Sequence, residues 1–349
     1  MLFFITNREI LNEGGDEEKI REDGKETAQD NLRYGTYSEE DDFRLFPEPS
    51  SKAELLYDEI DDDNIENLKG SSRFFATLYR ELISSGGGDS VLFFVHGFNT
   101  DLEGVRSNFK DLSERYVQNS DCSIKHIVIF TWPGMSPTIP LHYRNDAKDA
   151  ERSGEALARA MNSLRGFFQF YLGKAQHAPC ESKIHLMLHS MGHRVFRSAI
   201  RANMRGRKTG LMPFEEILCI AGDVPYNIFE NGEEYSHLLD YGERVHVYFH
   251  KKDKALDISK YTKNFANMLG RYGRKHKPID QPWVVDCNVT NTKDDDGVTL
   301  RNNLINHWYY YTSTEVVEDI VGVLEGGDSK FAEYPADQIR RSPGTPPLV

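Results

Sequence analysis

Three residue types that together could cleave an acyl bond occur along this chain in a suggestive order: Ser190, then Asp223 and Asp253, then His307. A free serine hydroxyl is a poor nucleophile and needs a base. A histidine base needs a carboxylate to fix its tautomer and to stabilise the imidazolium that forms. The oxyanion that develops needs two N–H donors. Ser190 lies in Ile184-His185-Leu186-Met187-Leu188-His189-Ser190-Met191-Gly192-His193-Arg194-Val195-Phe196. The stretch opens as an apolar run, and beyond the serine Val195, Ala199 and Met204 fall at roughly helical spacing. A strand that breaks at a serine and leaves as a helix is the layout of a nucleophile elbow. It sets the Met191 N–H and the positive end of the helix beside the hydroxyl. Gly192 supplies the small residue that close strand–helix packing needs. The usual G-x-S-x-G pattern is incomplete, because Leu188 holds the first glycine position. Taken alone, the stretch also fits a buried strand and a helix capped by serine.

The elements that would position these residues alternate. Leu2–Thr6 reads as a first strand, 11–42 as polar, acidic loop, and Phe43–Phe46 as a second strand stopped by Pro47 and Pro49. Phe74, Leu78, Leu82 and Ile83 mark a helix. Val91–Val95 is a five-residue apolar run, as expected of a strand buried on both faces of a parallel sheet. It leads into His96-Gly97-Phe98-Asn99-Thr100-Asp101, and Thr100 or Asp101 can cap a helix that carries Val105, Phe109, Leu112 and Tyr116 inward. A strand at 126–131 ends at Trp132, and a long helix follows over about 146–171. Strands at 214–221, 244–250 and 283–289 come after the elbow, with a helical stretch at 255–269 and a closing helix at 316–324. This order predicts an α/β fold with a mostly parallel, doubly wound sheet, whose active-site groups lie beyond the C-terminal ends of the strands.

Those strand ends carry His96-Gly97-Phe98, Trp132, Ser190, Asp223, Asp253 and His307, in the chain order serine, acid, histidine. With these pieces the chain resembles the α/β hydrolases. More closely, it resembles a bacterial family of α/β hydrolases of unassigned function that begins with a Thr-Asn-Arg or Thr-Asp-Arg segment, here Thr6-Asn7-Arg8. The matching pieces continue as Val95-His96-Gly97-Phe98-Asn99-Thr100, Phe130-Thr131-Trp132-Pro133, His189-Ser190-Met191-Gly192, Asp223-Val224, Asp253-Lys254-Ala255-Leu256 and Asn306-His307. The resemblance implies an α/β-hydrolase fold and hydrolase chemistry, without a substrate.

The resulting assignment makes Ser190 the nucleophile, His307 the base and Asp253 the acid, with Asp223 the rival acid because both follow consecutive strands. The N–H groups of Met191 and Phe98 form the oxyanion hole, and His96 hydrogen-bonds within its own loop. Trp132, Met135 and Ile139 are the expected substrate-pocket residues. The expected division is 1–90 for N-terminal strands, acidic loop and helix joining the sheet, 91–326 for the hydrolase core, and 327–349 for a loose tail.

The remaining features narrow the partners. The formal net charge of −13 disfavours a nucleic-acid or anionic-membrane partner. The four cysteines, Cys122, Cys180, Cys219 and Cys287, form no C-x-x-C pair and read as buried thiols of a reducing compartment. Leu2-Phe3-Phe4-Ile5 is too short for a signal peptide or a membrane span, so a cytoplasmic location is expected. His189 and His193 stand four apart, but the elbow bends between them and no H-E-x-x-H glutamate is present, so no metal is expected. Asp294-Asp295-Asp296-Gly297 reads as a solvated turn rather than a calcium loop. The sequence therefore points to a serine hydrolase acting on a small-molecule ester, thioester or similar acyl substrate without a cofactor. The alternative is a catalytically inactive hydrolase-like scaffold used for binding or regulation. Oligomeric state is not legible.

Overall fold

Residues 1–15, 17–22, 28–48, 62–84, 88–134, 143–167, 182–206, 214–257, 267–277, 283–295 and 305–333 are described by the structure, a computed structural model. Its strands are β1 (Leu2–Thr6), β2 (Ile10–Leu11), β3 (Lys19–Ile20), β4 (Arg33–Ser38), β5 (Asp42–Leu45), β6 (Ser90–Val95), β7 (Ile124–Thr131), β8 (Ile184–His189), β9 (Phe214–Ile220), β10 (Gly242–Phe249) and β11 (Val284–Asn288). Nine of them form one sheet in the order β11-β10-β9-β8-β6-β7-β1-β4-β5. From β11 to β1 every neighbouring pair is parallel, and β4 and β5 extend the β1 edge by antiparallel pairing. β2 and β3 form a separate small hairpin.

Five helices of eleven residues or more are described: α1 (Gly70–Ser84), α2 (Leu102–Leu112), α3 (Tyr143–Phe167), α4 (Gly192–Arg205) and α5 (Thr314–Leu324). They cover both faces of the sheet. On one face α1, α3 and α4 pack over Phe93, Val95, Val128, Phe130, Leu186 and Leu188. On the other, α2 and α5 pack over Leu92, Phe94, Ile127, Ile129 and Met187. The two sets alternate along each strand, as side chains on a pleat must. This double burial explains why β6 and β8 are apolar along most of their length, every residue of both being buried.

Asp101 caps α2, its carboxylate accepting the Gly104 N–H at 2.7 Å. β7 begins two residues earlier than the apolar pattern marks it, and α3 three residues earlier, with the expected end of α3 beyond 167 outside the described residues. Most of the helix expected at 255–269 also lies outside them, and Met268, at its end, is extended and bridges Pro225. No helix among the described residues is long and apolar enough to cross a membrane. Cys122, Cys219 and Cys287 are buried free thiols.

One expectation is corrected. The segment 11–42 is not loop throughout, since it contains β4, a full partner of β1. Arg33 is 1 % exposed there and pairs with Glu18 and with Glu48, the latter at 3.1 Å. Gly35 is required by close approach, because a Cβ on it would lie 2.5 Å from the Phe4 ring and 2.2 Å from the Arg44 carbonyl.

The α3–α4 contact that backs the serine turn also depends on a glycine. A Cβ on Gly154 of α3 would lie 2.3 Å from Ser198 Cβ and 2.7 Å from the Val195 carbonyl of α4. Gly166, in the last turn of the same helix, has nothing within 4 Å of that position. The two substitutions to alanine should therefore differ in sign. Gly154→Ala should cost about 1–3 kcal/mol by overpacking, and Gly166→Ala should gain roughly 0.5–1 kcal/mol from helix propensity. Urea unfolding of both variants checks this, and equal shifts would show that α3 does not seat on α4 through Gly154.

Candidate active site

The site is built where β6, β8, β9 and β10 end. At the end of β8 the chain reverses at Ser190, whose φ is +52°, in the left-handed region that a residue with a Cβ rarely adopts. The turn is held on both sides, because Ser190 N–H donates to the Ile220 carbonyl and the Asp223 N–H donates to the Ser190 carbonyl, each at 3.1 Å. Two close approaches leave no room for side chains. A Cβ on Gly192 would sit 2.4 Å from the Val95 carbonyl and 2.8 Å from that of His96, and one on Gly97 would sit 2.8 Å from Ser190 Cβ. α4 therefore starts flush against the end of β6, with the serine side chain beside Gly97. Leu188 points into the core on the α3–α4 face and is fully buried, so its bulk does not disturb the turn.

His307 Nδ1 meets Asp253 Oδ2 at 2.7 Å, with both side chains 5 % exposed or less. Asp253 also accepts the Leu256 N–H at 3.2 Å. Burial pushes its carboxyl up from the ordinary range, and the charge of His307 and the hydrogen bonds pull it back. An acceptor fixed at Nδ1 holds the neutral imidazole as the Nδ1–H tautomer and leaves Nε2 basic. His189 supports the same histidine. Burial, with His307 next, holds His189 far below its usual range. It is thus a neutral ring whose Nε2–H can donate to the His307 carbonyl at 3.2 Å.

Asp223 is engaged elsewhere. Arg194 Nε of α4 donates to it at 3.0 Å, and the Tyr143 hydroxyl of α3 donates to the same oxygen. It braces the starts of both helices against the end of β9. Ser190, His307 and Asp223 nonetheless line one cavity of about 540 Å³, together with Phe98 and Leu256. The expected pocket residue Trp132 does not reach that cavity. It is fully buried behind the 96–100 loop, with its ring stacked on His96 at 5.3 Å. Met135 and Ile139 lie outside the described residues.

The 96–100 loop is fixed by a chain of hydrogen bonds, of which the sequence showed only that His96 bonds within its own loop. His96 Nε2 accepts the Trp132 N–H at 3.1 Å, so its proton sits on Nδ1 and is donated to the Gly97 carbonyl at 3.0 Å. The Thr100 hydroxyl donates to the same carbonyl at 3.3 Å. A trans peptide sets its N–H opposite its C=O, so these donors aim the Phe98 N–H the other way. Behind them stands Arg8, 2 % exposed, which donates to Thr131 Oγ1 at 2.8 Å and to the Thr100 carbonyl at 2.5 Å. Thr6-Asn7-Arg8 carries the family resemblance in the sequence. In the structure its arginine braces the loop beside the serine. The signal was a cation just past an apolar strand, which at a sheet end needs a partner.

Residues 75–323 match the family model described as alpha/beta hydrolase of unknown function (DUF900). The fold is thus of the α/β-hydrolase class. The chain belongs to this family of unknown function. No curated protein matches it in sequence.

Among the described residues burial holds six histidines neutral: His96 and His193 are pushed down to about 3, His126, His185 and His250 to about 4, and His189 well below its ordinary range. Unfolding restores their ordinary value near 6.5, so between the two values the unfolded chain binds more protons than the folded one. Each histidine then adds a slope of about 1.4 kcal/mol per pH unit, with stability complete above the unfolded value and lost as pH falls. Carboxyls raised by burial, Asp111, Asp149, Asp253 and Glu48, act in the opposite sense and are fewer. Stability measured by urea titration should fall steeply from pH 6.5 towards 4, and a flat profile across that window would contradict the neutral, buried state of these rings.

Proposed function

We propose that this protein is a serine hydrolase that cleaves an ester, thioester or similar acyl bond through an acyl-serine. The observation that carries the proposal is the Asp253–His307 pair at 2.7 Å, whose histidine lines the same cavity as a serine held at positive φ. In the first step Ser190 Oγ attacks the acyl carbon while His307 Nε2 takes its proton. The Met191 and Phe98 N–H groups stabilise the oxyanion. Met191 precedes the first turn of α4, where backbone N–H groups have no partner inside the helix. His307 then gives its proton to the leaving group, and the acyl-serine remains. In the second step His307 activates water, which attacks the acyl-serine and releases the acid. No step draws on a cofactor. The inactive-scaffold alternative rests on Leu188 and on the acidic first ninety residues, and of these Leu188 packs in the core, which favours the enzyme reading.

Two sets of variants test this, each against a panel of activated esters. Ser190→Ala should lower kcat by at least about a thousandfold, and Asp253→Asn by roughly ten-thousandfold. Asp223→Asn should do far less to kcat and should cost about 1–3 kcal/mol of stability through the lost Arg194 contact. Residual turnover of Ser190→Ala within tenfold of wild type would overturn the serine mechanism, and the reverse ranking of the aspartates would move the acid to the end of β9.

The second set addresses the brace. Arg8→Gln should lower kcat by about tenfold or more while leaving KM nearly unchanged, because a loosened Phe98 N–H is felt in the transition state. Arg8→Lys should restore part of the loss. A rise in KM alone would show that Arg8 serves the pocket and not the oxyanion.

A further inference from the structure

The cavity is not uniformly apolar. One wall is the α2 stripe Gly104, Ser107, Asn108 and Asp111, spaced i, i+3, i+4, i+7, and so a single face of the helix. At 1.5 Å per residue this stripe is about 10 Å long. The segment that follows His307 supplies Trp308 and Tyr311. These two rings and Asp111 are all half-buried and border the same space.

Asp111 forms no ion pair among the described residues, although cations stand close by. Arg115 is taken by Asp295 at 2.7 Å, and Arg106 by Glu22 and Asp42 at 2.8 and 2.7 Å. Burial, with Glu114 beside it, pushes the Asp111 carboxyl up to about 6. Lys110 and Arg115 act on this carboxyl only at a distance, without a contact ion pair, and a half-buried carboxylate that shares a cavity wall with an indole and a phenol is chemically matched to an organic ammonium. The carboxylate supplies charge, and the aromatic faces attract a cation through their quadrupoles. The overall charge of −13 favours the approach of such a ligand. Lys254, the cavity's only lysine or arginine among the described residues, sits at the Asp253 turn and not on α2.

We propose that the groove along α2 is a subsite for a cationic tail: the substrate carries an organic ammonium group, held between Asp111, Trp308 and Tyr311. Ser107 and Asn108 line the span between the tail site and the start of α2 and supply hydrogen bonds to a polar linker. This assignment rests on the acyl-serine reading above and adds the substrate class to it.

The test compares activated esters tipped with trimethylammonium against isosteric esters tipped with tert-butyl, over a series of linker lengths. Wild-type protein should favour the cationic ester by about tenfold or more in kcat/KM, with an optimum at intermediate length and no preference at the shortest. Asp111→Asn should reduce the cationic-to-neutral ratio by about tenfold, and Trp308→Leu should also reduce it. Thermal melts confirm that each variant is folded. Calorimetric binding of the same esters to Ser190→Ala provides a readout independent of turnover. Tighter binding of the cationic ester there, lost in the Ser190→Ala/Asp111→Asn double variant, would uphold the subsite even if no ester were hydrolysed. Hydrolysis of both esters with equal kcat/KM, unchanged in ratio by Asp111→Asn, would overturn the subsite and leave the serine mechanism standing.

Discussion

The site depends on one packing constraint: α4 starts in van der Waals contact with the end of β6. Gly192 faces the carbonyls of Val95 and His96, and Gly97 faces the serine Cβ, at separations that admit no additional carbon. This closeness forces Ser190 into the left-handed region, a conformation that persists only where surrounding structure over-determines it. Of the six described non-glycine residues with positive φ, three others adjoin the site: Asn99, which lines the cavity, Ala221 just past β9, and Asn306 next to His307. The strain is thus concentrated where three loops converge. The nine-stranded sheet and its two buried faces hold that convergence in place.

The first strand belongs to the same mechanical unit, although the family match begins only at residue 75. β1 pairs with β7 along its whole length, so Thr6 lies opposite Thr131 and Arg8 emerges beside it. From there the arginine reaches both Thr131 and the Thr100 carbonyl. The orientation of the Gly97–Phe98 peptide is consequently supported by residues from three strand ends. A buried guanidinium is costly unless its donors are satisfied, and these acceptors offset that cost.

Much of this was legible in the sequence, for physical reasons that can be named. Strands buried on both faces show as apolar runs, so β6, β8 and β9 were plain, and the alternation of strands and helices implied a doubly wound sheet. β4 was hidden because Arg33-Tyr34-Gly35-Thr36-Tyr37-Ser38 is polar, and its arginine is buried only through partners at Glu18 and Glu48. Ser190 stood out through local pattern. The choice between Asp253 and Asp223 as the partner of His307 did not, since both follow consecutive strands and a through-space distance distinguishes them. Trp132 was expected in the pocket because it follows a strand. Its ring instead lies under His96, and no periodicity reports which way the residue after a strand turns. Asp111 went unnoticed because on α2 it looks like an ordinary polar face, and the groove appears only when the 307–311 segment is set against it.

The most direct measurement is a crystal structure of the protein reacted with a small fluorophosphonate. The account predicts phosphorus bonded to Ser190 Oγ, the phosphoryl oxygen within about 3 Å of both the Met191 and Phe98 nitrogens, and His307 still paired with Asp253. An unreacted Ser190, a label on another residue, or a phosphoryl oxygen turned away from those two nitrogens would contradict it.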